Sequence, residues 1–179
     1  MSLHAASGAA LAAAPSLSRR MACFVYEGLI LFGMLLVPAA IGATFNAFTG
    51  QRYALRMDAP LGIISIVMYA MYFAWFWSAR GQTLPMQTWR IRVVGTDGAP
   101  LSRWRALTRH VASYAWFGPA VLLASLNGWK VGVGLNVAVA LVVGVIAYAL
   151  LALLHPQRQF WHDALCGTRL IQEQPPASM

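Results

Sequence analysis

Two acids and a small set of arginines are the side chains of this sequence that could do chemistry. Glu27 lies early in a long apolar run, SRRMACFVYEGLILFGMLLVPAAIGATF, residues 18–45, with Arg19 and Arg20 at its head. A charged side chain at the centre of a bilayer costs roughly 2.5–3.5 kcal/mol on insertion scales, and less near the interface. Glu27 therefore demands a buried partner or a polar cavity. Arg20 is seven residues away, two helical turns, so it shares a face with Glu27 but stands about 10 Å off along the axis. Two readings stay open. Glu27 locks the bundle by pairing with an arginine of the cytoplasmic layer, or it handles a cation or proton in a cavity.

The second acid, Asp163, sits in HPQRQFWHDALCGTRL, residues 155–170. Its density of His and Asp invites a metal site, but Pro156 separates His155 from His162 and suits the start of a helix rather than its interior. No further Cys/His cluster completes a ligand set. Asp163 is instead expected to accept a charge-assisted hydrogen bond from Arg20, Arg90 or Arg92. Cys23 and Cys166 stand far apart and read as small apolar residues. No nucleophile elbow, phosphate loop, dinucleotide fingerprint or metalloprotease motif occurs. The sequence thus supports neither an enzyme nor a cofactor.

Composition says what must position these groups. Of 179 residues 59% are hydrophobic and 10% charged, against about 25% charged in soluble domains. Four apolar segments stand out, at about 21–45, 60–78, 111–126 and 131–154. Each is expected to cross the membrane, the third being short for a ~20-residue span and broken by Gly118-Pro119. With the N-terminus inside, ten of the thirteen Lys+Arg residues fall on the cytoplasmic side, leaving Arg52, Arg56 and Lys130 outside. That imbalance predicts both termini in the cytoplasm. The net charge of +8 then belongs at anionic lipid headgroups and not on nucleic acid. The Ala/Ser-rich residues 1–18 read as a disordered tail, and 172–179 as a second tail.

Between the second and third spans, WRIRVV alternates as a strand does, Thr96-Asp97-Gly98 signals a turn, and Ser102 is placed to cap a basic amphipathic helix. GQTLPMQTWRIRVV at 81–94 also echoes RQFWHDALCGTRLI at 158–171. Without gaps, Gln82 meets Gln159, Arg92 meets Arg169, and Val93-Val94 meets Leu170-Ile171. The chain therefore reads as two units, each with two membrane helices and a cytoplasmic helix–strand element, whose strands could pair beneath the bilayer.

Three stretches, SRRMACFVYEGLIL, GQTLPMQTWRIRVV and RQFWHDALCGTRLI, resemble the RDD family of bacterial membrane proteins, named for an arginine and two aspartates. Arg20, beside Arg19, matches the arginine, and Asp163 the second aspartate. The first aspartate falls at Glu27, which keeps the carboxylate on a longer arm. Pro85-Met86 replaces the family's usual Gly-Lys pair. The resemblance implies a bacterial inner-membrane protein, with transport of ions or small solutes as the usual proposal.

The expectation is an all-α membrane protein of four transmembrane helices with a small cytoplasmic layer. Arg19, Arg20, Glu27, Gln82, Arg92, Asp163 and Arg169 form its candidate polar cluster. As a transporter of a small cation or solute it would need a homo-oligomer, because four helices enclose little space. The alternative is a non-transporting scaffold with a structural Arg–acid cluster.

Overall fold

The computed structural model describes residues 13–49, 54–128 and 134–173, with side chains from residue 61 onward in the second helix. In chain order the elements are α1 (Leu17–Thr49), α2 (Ala54–Ala79), α3 (Leu84–Thr88), β1 (Ile91–Gly95), α4 (Arg103–Ser113), a 3-10 turn (Tyr114–Trp116), α5 (Gly118–Leu126), α6 (Leu135–Leu151), α7 (Trp161–Leu165) and β2 (Thr168–Gln172). The described residues are mainly helical, with one two-stranded sheet among them.

Ser16 starts α1. Its carbonyl accepts from Arg20 N–H at 3.1 Å and its hydroxyl from Arg19 N–H at 3.4 Å. The expected tail over 1–18 is therefore placed from Ala13 onward. Ala13 O accepts Gln172 N–H at 3.0 Å, tying this segment to β2. Residues 1–12 and 174–179 lie outside the described residues, as do Arg52 and Lys130 and the side chain of Arg56.

Among the described residues, two helices are long and apolar enough to cross a membrane, α1 and the Leu61–Ala79 part of α2. Only 11% and 17% of their most apolar windows are buried inside the protein, whereas a soluble core helix is buried all round. At Gly42 a Cβ would come within 2.5 Å of Leu61, so glycine permits the close approach of α1 and α2. Lower down, the Tyr69 hydroxyl donates to Leu31 O at 3.0 Å and ties the same pair.

The third and fourth apolar segments form shorter helices. The third is divided, with α4 running on to Ser113, then the 3-10 turn, then nine residues of α5 led by Gly118-Pro119. The fourth gives the 17 residues of α6, which pack on α5.

Beneath the helices the two strands pair antiparallel, with Val93 opposite Leu170 and Val94 opposite Arg169. The echo in the sequence is an echo in the backbone. A shift of 77 residues carries α3 onto α7 and β1 onto β2, residue for residue. It also carries Gly81 (φ 68°) onto Arg158 (φ 52°), and Arg90 (φ 53°) onto Gly167 (φ 62°). Each unit thus needs the left-handed conformation at the same two points and supplies glycine at only one of them. In both, a buried glutamine ties the segment together. Gln82 donates to Ile91 O at 2.8 Å. Gln159 donates to Leu170 O and accepts from Leu170 N–H, both at 2.9 Å.

Candidate functional site

The helical period puts Arg20, Cys23, Phe24, Glu27 and Leu31 on one stripe of α1. That stripe faces α2, α4 and both helix–strand units around a cavity of 370 Å³. Its wall is mostly apolar and aromatic, and Arg20, Glu27, Arg109 and His110 reach it.

Glu27 is held by one oxygen. Thr83 Oγ1 donates to Oε2 at 2.6 Å, while Oε1 is buried without a hydrogen-bond partner. The Tyr72 hydroxyl is Glu27's neighbour but does not reach hydrogen-bond geometry. Thr83 has a second role. As N-cap of α3 it accepts from Met86 N–H at 3.4 Å, and Pro85 in the first turn fixes the helix start. The hydroxyl's lone pair serves the helix and its proton serves the acid.

Arg20 is only 4% exposed, and its Nε and Nη1 are buried without a hydrogen-bond partner. Its guanidinium lies over the Phe160 ring, 4.5 Å from the centroid. The charge feels Asp163 electrostatically without a direct bond. A guanidinium supported by one aromatic face is an unusual thing to bury.

Asp163 is fully buried; its Oδ1 is partnered by Arg109, and its Oδ2 has no hydrogen-bond partner. This corrects the expected choice among Arg20, Arg90 and Arg92. Arg109 Nε donates to Oδ1 at 2.7 Å, Thr168 Oγ1 at 3.3 Å, and Arg109 stacks on Trp77 at 4.1 Å. Burial alone would raise the Asp163 carboxyl; the Arg109 guanidinium, with His162 and Thr168, holds it below its ordinary value. Burial pushes the neighbouring His162 down to about 4, so this ring is neutral at pH 7. Tyr148 fixes its orientation, with the hydroxyl 2.9 Å from Nδ1 and accepting His162 N–H at 3.0 Å. His162 Nε2 stands 3.6 Å from Asp163 Oδ1, beyond hydrogen-bond reach.

The candidate cluster therefore divides. Arg20 and Glu27 share the cavity. Asp163 stands behind its wall. Gln82 and Arg92 meet instead at Glu173, a residue that no motif or spacing singles out. Gln82 Nε2 donates to Oε2 at 3.0 Å and Arg92 Nε to Oε1 at 2.5 Å. Arg169 lies half-buried on β2, and Arg19 faces outward. Sequence reasoning missed Thr83, Arg109 and His110. Thr83 left a signal, a hydroxyl residue two before a proline, which is a helix start. Arg109 and His110 left none, because both sat in a stretch legible only as a basic surface helix.

Long apolar helices left uncovered above a buried layer of charge have the character of a membrane protein. The RDD family model matches residues 14–167, and the chain belongs to the RDD family. No curated protein and no solved structure matches it.

Proposed function

We propose that this protein is an inner-membrane protein that moves a small solute or ion through the cavity beside α1, as a homo-oligomer with both termini in the cytoplasm. Four membrane segments fit this reading. α5 continues the apolar stretch that begins at Val111, and α6, at about 1.5 Å per residue, measures about 25 Å against a hydrocarbon core of ~30 Å. The observation that carries the proposal is the half-held carboxylate. Glu27 keeps one oxygen on Thr83 and leaves the other at a cavity wall. Asp163 also leaves one buried oxygen, Oδ2, without a hydrogen-bond partner, but of the two acids only Glu27 lines the cavity.

In reconstituted vesicles, Glu27→Gln is expected to keep the protein's abundance and lose its gradient-driven flux. Unchanged flux, or none in the parent protein under any imposed gradient, would remove the proposal. The second reading, a scaffold, is favoured by the buried Arg109–Asp163 ion pair. It predicts that Glu27→Gln lowers membrane abundance instead.

A further inference from the structure

The polar groups of the cavity wall are not equally satisfied, and the inequality has a sign. Glu27 already holds a strong donor at 2.6 Å. Arg109, the wall's other guanidinium, is matched by Asp163 at 2.7 Å. Arg20 has no hydrogen bond to Nε or Nη1 and only an aromatic ring beneath it. His110, stacked on Phe73 with centroids 4.7 Å apart, has neither ring nitrogen partnered. Arg20, Glu27 and His110 are 4%, 9% and 5% exposed, so bulk water does not supply what they lack. The largest unmet demand in the cavity is that of a cation for an anion. The remaining wall is apolar, with Phe24, Leu31, Met86, Trp116 and Phe117 among its residues, and the volume suits one small organic molecule.

We infer that the cavity binds an organic anion, a single carboxylate or comparable anionic head on a compact apolar body, with the head on Arg20 and His110 and the body among the aromatic rings. Arg20's free N–H groups are donors of the kind that make charge-assisted bonds to carboxylates, and an imidazole N–H adds another. A cation would enter beside two guanidinium groups to meet one carboxylate that is already half satisfied. This inference rests on the cavity being the binding site, and it names the class of molecule that enters it.

The test uses the full chain in nanodiscs of zwitterionic lipid, with phenylacetate as probe and titration calorimetry as readout. Phenylacetate is expected to bind, and phenyltrimethylammonium, of similar size and opposite charge, not to. Arg20→Gln is expected to weaken phenylacetate binding by about tenfold or more, as loss of a charge-assisted hydrogen bond implies. Gly28→Leu guards against a folding defect in that variant. Gly28 lines the cavity and a Cβ there meets nothing within 4 Å. The larger side chain fills the space without touching a charge, and it is expected to abolish binding. Adding phosphatidylglycerol separates two sources of the same chemistry. Loss of phenylacetate binding through competition assigns the anionic head to a lipid, and persistence assigns it to a soluble acid; either supports the inference. No phenylacetate binding by the parent protein, unaltered binding in Arg20→Gln or in Gly28→Leu, or preferential binding of the cation would overturn it. Binding without flux would sink the transport proposal alone. Flux of a cation with no anion binding would sink this inference alone.

Discussion

The two helix–strand units have one backbone and two chemistries. Both begin with a buried glutamine, run five residues of helix, turn through a left-handed residue and end in five residues of strand. At the N-cap the first unit has Thr83, which bonds Glu27, and the second has Phe160, which carries Arg20 on its ring. Three residues further on, the first has the apolar Met86 and the second has Asp163, paired with Arg109. The two polar residues of α1 thus rest on equivalent positions of a repeated scaffold. The scaffold sets where a polar group stands, and the side chain at the cap sets its sign. The second unit holds its acid in an ion pair behind the cavity wall, while the first borrows an acid from α1 that lines the cavity and has only a hydroxyl for a partner.

That contrast can be broken from either side. The largest effect is expected in the second unit. Arg109→Ala leaves the Asp163 carboxylate buried and unpaired, which costs about 3–5 kcal/mol. Thermal unfolding in detergent should show a steep fall in stability. Little change would mean that the pair does not hold the layer.

In the first unit, Thr83→Val keeps the shape and removes both the cap and the hydrogen bond to Glu27. The expected loss is about 2–3 kcal/mol, smaller because Tyr72 remains beside the acid. Equal losses for the two variants would erase the distinction between an ion-paired acid and one held by a hydroxyl.

Acid should sharpen the comparison, since only the second unit carries a histidine in its helix, where the first has Pro85. His162 is depressed from 6.5 to about 4, so unfolding takes up a proton between those values. Its stabilising contribution is complete above pH 6.5 and is lost as pH falls toward 4. Asp163, held below 3.8, adds a loss only in stronger acid. Between pH 7 and pH 5 the histidine's share is about 2 kcal/mol, at ~1.4 kcal/mol per pH unit below 6.5. His162→Gln should flatten the unfolding profile by that amount, and an unchanged slope would show that the ring is already charged in the fold.

Much of this was legible in the sequence, and the parts that were not share a cause. The apolar runs of α1 and α2, the Ser102 cap, confirmed by its bond from Arg105 N–H at 3.2 Å, and the strand in WRIRVV all follow from local patterns. The repeat was legible too, through Gln82 and Gln159, although its meaning lay in positive-φ residues that differ in identity between the units. The partners of the acids were not legible. Arg109 and Asp163 are 54 residues apart, as Thr83 and Glu27 are 56, and their meeting depends on how α4 and α3 dock. Periodicity says which residues share a face; it does not say which charge across the gap that face will find.

The strand register has a consequence of its own. Ile91 pairs with Gln172 and Gly95 with Thr168, around a centre at Val93 and Leu170. Exchanging the two units by the 77-residue shift returns the same set of pairs. A ladder that maps onto itself is indifferent to the order in which its strands are connected. Two shorter chains, each bearing one unit, would close it with the same hydrogen bonds, as would neighbouring molecules that traded β2. The sheet is therefore the seam at which this fold could have been assembled from two equal halves.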